Sequence, residues 1–177
     1  IQIENGIIKY VGDNPPEFHS DKDIDANGNI IMPGFVNAHT HLPMTAMRGF
    51  ADDMELMDWL SKKIWPAEDK FYDEAVYWGS MLSLIEMAKT GTTTFVDSYF
   101  DYDWYVPAIE KSKIRGYIAR SVVDFTPEMG NEKFGEMIDL YKKYNGLGNI
   151  RVCFSAHAQY TVSNDMLKRI VAAAKEY

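Results

Sequence analysis

Cysteine is nearly absent: Cys153 is the single one in 177 residues, so no intrachain disulfide can form and a reducing, cytoplasmic compartment is the expected setting. Basic residues are also few. Lys and Arg number 18 against 26 Asp and Glu, and the formal charge of -8 leaves no positive field for a phosphate backbone, so nucleic acid is excluded as an expected partner. No apolar run approaches the ~20 residues of a membrane span and no signal peptide is visible, so no membrane association is expected. Walker and dinucleotide-type glycine loops, a Gly-x-Ser-x-Gly elbow and a Cys-x-x-Cys pair are all missing, which removes the chemistries that depend on them. The first residue is Ile1 rather than Met, which is expected to reflect processing or missing upstream sequence.

What is present is 46% hydrophobic and 14% aromatic, enough for one core. Residues 1–31 read as short strands broken by turns. Asn5-Gly6 between two Ile-rich runs is a hairpin signal, and Asn27-Gly28 is expected to open a further strand. That segment is too small to fold alone and is expected to be part of a minor β layer. From residue 32 to 177 strand-like runs (30–37, 92–96, 116–123, 150–156) alternate with helical periodicity. Residues 73–90 place Ala75, Trp78, Met81, Leu82, Leu84 and Ile85 on one helical face, with Gly91 as the stop; residues 134–144 and 163–177 are two more helices, the last capped by Ser163 or Asn164. The polar stretch 126–133 is expected to be a loop. Alternation of this kind predicts parallel β/α units, and about four are visible where a closed barrel has eight, so a piece of a longer chain is expected.

His39-Thr40-His41 carries the sharpest chemical signal. It ends an apolar strand, and in extended chain side chains two apart share a side, so both imidazoles can converge on one divalent ion. Zinc is the first expectation, with iron and nickel as alternatives, and further ligands are needed to complete the shell. The alternative is that the histidines only bond loop backbone; placement at the C-terminal end of a barrel-type strand favours the metal. His157 also closes a strand, and a third ligand, a substrate contact and a structural residue remain open. Glu68 is either a general base, an acceptor for substrate hydroxyls, or a solvated helix-end carboxylate. Arg120, inside a strand, needs an anion, either a substrate group or a neighbour such as Asp124. Met44, Met47, Met54 and Met57 could line a pocket or simply pack a core, and His19 is given no role.

The run Met32-Pro33-Gly34-Phe35-Val36-Asn37-Ala38-His39-Thr40-His41-Leu42-Pro43-Met44 resembles the first barrel strand of the amidohydrolase superfamily. Arg48-Gly49, the segments 56–60 and 64–68, Gly91-Thr92-Thr93-Thr94-Phe95-Val96-Asp97 and 156–163 are similar to the branch holding the 5'-methylthioadenosine/S-adenosylhomocysteine deaminases and the triazine chlorohydrolases. The resemblance implies an α/β fold, a partial (β/α)8 TIM barrel of the metal-dependent hydrolases, with residues 1–31 in part of a small flanking β-sandwich and residues 32–177 forming the first half of the barrel. It implies His39 and His41 as metal ligands, Glu68 as acceptor from ribose hydroxyls, His157 as a substrate contact and Arg120 as partner of a substrate carboxylate. Where members of the deaminase group have a further arginine, this sequence has Lys133, which keeps the charge and loses bidentate geometry.

The expected parent activity is hydrolytic deamination of an adenine nucleoside (5'-methylthioadenosine, S-adenosylhomocysteine or adenosine) with one divalent metal, a small-molecule substrate and a possible homo-oligomer. The rival expectations are a guanine, cytosine or triazine aminohydrolase or chlorohydrolase, and a non-catalytic fragment. The family's remaining metal ligands and its proton-shuttling glutamate are expected on strands beyond Tyr177, so the chain alone is expected to be inactive, with no catalytic residue of its own.

Overall fold

Asn5 and Gly6 both take positive φ, 51° and 75°, the backbone that a two-residue hairpin turn requires, and they join β1 (Gln2–Glu4) to β2 (Ile7–Tyr10) in an antiparallel pair. The computed structural model describes residues 1–100 and 102–177 and divides into two compact units, Ile1–Pro33 and Gly34–Tyr177. In the first unit β1 and β2 are the only strands, and no strand follows Asn27-Gly28. That turn is satisfied locally instead: the Asp25 carboxylate accepts from the Asn27 amide at 2.7 Å, and the Ala26 carbonyl accepts from the Asn29 amide at 2.8 Å.

The second unit is built on four parallel strands in chain order: β3 (Phe35–Thr40), β4 (Thr92–Ser98), β5 (Arg115–Val122) and β6 (Ile150–Ala156). β3 starts at Phe35 rather than at residue 30, because Pro33 has no N–H to give a ladder; the Phe35 amide makes the first bond, to the Gly91 carbonyl at 2.9 Å. After β3 come a 3-10 helix (Leu42–Met47) and a helical run of α1 (Leu56–Trp59), a π-turn (Leu60–Ile64) and α2 (Trp65–Glu68). Then α3 (Asp73–Lys89), α4 (Tyr102–Ser112), α5 (Pro127–Tyr144) and α6 (Asn164–Glu176) alternate with the strands. Pro107 inside α4 masks that helix in the sequence. Residues 126–133 are not a loop: the Thr126 hydroxyl accepts from the Met129 amide at 3.2 Å and Pro127 fills the first turn, so α5 begins there.

The buried face of α3 also differs from the expected one. Val76, Gly79, Ser80, Ser83, Leu84 and Met87 face inward, whereas Trp78, Leu82 and Ile85 are exposed. Small residues win because α3 presses on the 3-10 helix: a Cβ on Gly79 would lie 2.5 Å from the Pro43 carbonyl oxygen. This contact buries Leu42 and Pro43 completely and fixes the chain just after His41. The main core gathers Leu84, Phe95, Tyr105, Ile109, Ile118 and Ile150 between sheet and helices, and a smaller one joins Val122, Met137, Met166 and Ile170. Among the described residues no helix is long and apolar enough to cross a membrane.

Candidate active site

Because β3 is extended through Thr40, His39 and His41 project to the same side of the sheet while Thr40 points to the helix side. The two Nε2 atoms stand 3.3 Å apart, with the rings nearly perpendicular at 89°. That distance is long for an N–H···N bond and matches the ~3.3 Å separation of two nitrogens on a tetrahedral zinc ion at about 2.0–2.1 Å. His41 Nδ1 lies 2.6 Å from the Ser98 carbonyl, which can only accept, so Nδ1 carries the proton and Nε2 offers its lone pair. The donor set therefore fits two ligands of a divalent ion. Among the described residues no group of three or more His, Cys, Asp or Glu comes close enough to hold a metal.

The imidazole pair opens into a cavity of about 280 Å³ at the C-terminal ends of the strands, shared with Ser98, Ser121, Ser155 and His157. The three serine hydroxyls form a row across β4, β5 and β6, with Oγ···Oγ distances of 2.7 and 3.0 Å. His157 follows β6 directly; its amide donates to the Val122 carbonyl at 3.0 Å and its Nδ1 lies 3.0 Å from the Thr161 hydroxyl. The Thr161 hydroxyl donates to the Ala158 carbonyl at 3.2 Å, so its oxygen accepts from His157 Nδ1–H, which leaves Nε2 as an acceptor. Cys153 also lines the cavity, and burial pushes its thiol up, away from reactivity.

Glu68, at the end of α2, is half-buried and accepts from the Tyr99 hydroxyl at 2.8 Å. Burial raises its carboxyl above the usual range, against the pull of the Tyr99 bond and the nearby His41. Arg120 is not brought to the cavity. Its neighbours Ala119 and Ser121 line it, whereas Arg120 turns toward α5, where Nε donates to Glu136 Oε2 at 2.5 Å. Its partner is thus Glu136 and not Asp124, which is taken up by the Ser163 amide and hydroxyl. Glu136 Oε1 also receives Lys133 at 2.8 Å, and Lys133, on α5 rather than in a loop, bonds Glu132 at 2.8 Å too. Two bases and two acids leave no net positive charge there. Among the described residues no methionine lines the cavity; Met44 and Met47 edge a separate concavity with Trp59.

The sequence pattern does not single out Asp97, yet it is 1% exposed and next to the imidazole pair. Its Oδ1 accepts from the Thr40 hydroxyl at 2.6 Å and the Leu42 amide at 2.8 Å, while Oδ2 has no partner among the described residues. Burial pushes its carboxyl up to about 6, more than those two bonds and His41 pull it down. The usable sequence signals are positional: Asp97 and the serines sit at the ends of the strands.

The Amidohydrolase family pattern matches residues 30–177. The 5-methylthioadenosine/S-adenosylhomocysteine deaminase of Thermoanaerobacter pseudethanolicus is 45% identical over 99% of this chain and 42% of its own length. The 5'-deoxyadenosine deaminase of Methanobrevibacter smithii is 43% identical over 99% of this chain and 41% of its own length. Among solved structures, an adenosine deaminase from Xanthomonas campestris with bound zinc superposes with a TM-score of 0.71 at 35% identity, covering 82% of this chain and 34% of that one. The chain thus spans about two fifths of the length of the curated relatives it matches.

Proposed function

Since the chain belongs to the amidohydrolase family, with four parallel β/α units forming part of its barrel, we propose that it supplies the His39 and His41 half of a metal site to a longer hydrolytic deaminase of adenine nucleosides. The observation that carries the metal reading is the 3.3 Å approach of the two Nε2 atoms with His41 held by Ser98. The substrate reading rests on relatives named as adenosine-type deaminases that match nearly the whole chain. In the same reading residues 1–31, whose hairpin leaves Ile1, Ile3, Ile7 and Ile8 exposed, belong to a small β-sandwich, and residues 32–177 are the first half of the barrel. The free Cys153 fits a cytoplasmic setting.

The net reaction exchanges the 6-amino group of the purine for oxygen: water adds at C6, the C6–N bond breaks, ammonia leaves with one proton of that water, and the other stays on N1 of the 6-oxopurine. A divalent ion, zinc in our reading, supplies the activated water when bound. His39 and His41 would hold the ion, and the Ser98 carbonyl keeps His41 in the tautomer that ligation needs. His157, with Nδ1 donating to Thr161, turns an accepting Nε2 toward substrate N–H or O–H groups. Glu68, supported by Tyr99, accepts from the ribose hydroxyls. Arg120 turns away from the cavity, and Glu136 and Glu132 balance Arg120 and Lys133, so no free positive charge meets a substrate carboxylate and nucleosides with a neutral 5' group are preferred.

Release of ammonia, or of chloride from the chlorotriazine, by the longer protein loaded with zinc tests the reading on methylthioadenosine, 5'-deoxyadenosine, adenosine and S-adenosylhomocysteine beside guanine, cytosine and a chlorotriazine. Turnover of the neutral-tailed adenosines above the others is the expected result. Turnover confined to guanine, cytosine or the triazine would overturn it.

A further inference from the structure

We propose that Asp97 is the positioning residue that sets the His39–His41 separation, acting on the residues that alternate with the histidines rather than on the histidines themselves. The inference rests on the metal reading above for its significance, though not for its geometry. Thr40 and Leu42 flank His41: Thr40 ends β3 with its side chain opposite the imidazoles, and Leu42 opens the 3-10 helix. One carboxylate oxygen, Asp97 Oδ1, accepts from both: the Thr40 hydroxyl at 2.6 Å and the Leu42 amide at 2.8 Å. The ladder already pairs Thr40 with Asp97 in register, so the contact clamps side chain and main chain at the same level of the sheet.

The clamp works on a short lever. Three positions around His41 are pinned on the helix side or at the turn: Thr40 by Asp97, Leu42 by Asp97 and by complete burial, and Pro43 by α3. His41 lies between two of these, and its Nδ1 is tied across to the Ser98 carbonyl, the residue after Asp97. Loss of the Oδ1 acceptor therefore leaves the buried Leu42 amide without its partner and the Thr40 hydroxyl with only the Val96 carbonyl at 3.1 Å, which loosens the chain on both sides of His41, while the Ser98 bond alone leaves ring rotation about that contact. The placement of Asp97 is in turn rigid, since it belongs to a strand paired on both sides and is 1% exposed. Nothing in this role needs charge; it needs one oxygen in one place.

Zinc alone is the probe, titrated into the metal-free 177-residue chain, with amide exchange at Leu42 as a second readout. Asp97→Asn keeps an oxygen acceptor and is expected to bind zinc within about threefold of the unaltered chain, whereas Asp97→Leu is expected to weaken binding by about 10–100-fold and to accelerate Leu42 exchange at least tenfold. Thr40→Val removes one of the two donors with little change in shape and is expected to weaken binding about three- to tenfold with an unchanged far-ultraviolet spectrum, so the test survives if Asp97→Leu does not fold. Asp97→Leu binding zinc like the unaltered chain with Leu42 still protected overturns the proposal, as does Asp97→Asn falling as far as Asp97→Leu, or Thr40→Val without effect. If the unaltered chain takes up no zinc, the metal reading of His39 and His41 fails on this chain; Leu42 exchange and the Nδ1–H tautomer of His41, read from its imidazole nitrogen shifts, still decide the role of Asp97.

Discussion

Removing the ionisable proton of Asp97 should change how the stability of this chain depends on pH, and the size of the change follows from its burial. An ordinary aspartate releases its proton near about 3.9, whereas Asp97 in the folded chain holds it up to about 6. As pH rises through that interval the unfolded chain gives up the proton first. The folded state then binds more protons than the unfolded one, so stability falls with rising pH, by about 3 kcal/mol in total and about half of that by pH 5. Below about pH 4 both states are protonated and the loss vanishes. Asp97→Asn has no proton to release, so the difference in unfolding free energy between variant and unaltered chain should shift in favour of the variant by about 3 kcal/mol between about pH 4 and 7.5. The opposing effects of Glu86, Asp103 and Glu136, whose carboxyls are held below the usual range, and the parallel one of Glu68 occur in both proteins and cancel in the difference. Urea denaturation of the metal-free chain at a series of pH values, followed by far-ultraviolet circular dichroism, measures it. A difference that stays flat, or that moves against the variant as pH rises, would refute the reasoning, because it would mean the buried carboxylate is as well solvated as an exposed one.

Gly79→Ala places a Cβ 2.5 Å from the Pro43 carbonyl oxygen, a main-chain atom that cannot rotate away, and should cost about 1–3 kcal/mol less whatever alanine returns in helix propensity; equal or greater stability in urea would show that the α3 contact is looser than the structure has it. Glu68→Gln in the longer enzyme should raise KM for adenosine about tenfold with kcat within about twofold, since the amide accepts ribose hydroxyls less strongly while Tyr99 still has an oxygen to bond. A fall in kcat at constant KM would instead make Glu68 a proton carrier.

The features that were legible in the sequence are those whose geometry is local. Asn5-Gly6 makes its hairpin from two residues with positive φ, and His39 and His41 share a side because extended chain repeats every two residues. Thr126-Pro127 is local too, an N-cap followed by a first-turn proline, but the polarity of residues 126–133 reads equally well as a loop until the Met129 amide is seen on the Thr126 hydroxyl. The face of α3 is not local. Apolar residues ring that helix, and the side that is buried is chosen by the close approach of Gly79 to Pro43, a segment 36 positions earlier by residue number. Strand parity is the deeper obstacle. Once the histidines of β3 are known to face inward, Thr40 faces the helices, and its register partner Asp97 does so with it. The register then carries parity onward: Ser98 pairs with Ala119 and Ser121 with Ser155, all on the cavity side, which sends Arg120 to the helix side and to Glu136. Each step follows from the one before, but a one-residue slip in any ladder would reverse everything after it, and register between strands is held by contacts 20 to 60 residues apart in the chain rather than by any local signal. The fate of Arg120 was therefore decided by the sheet, and the same chain of parity is what brings Asp97 beneath the two histidines.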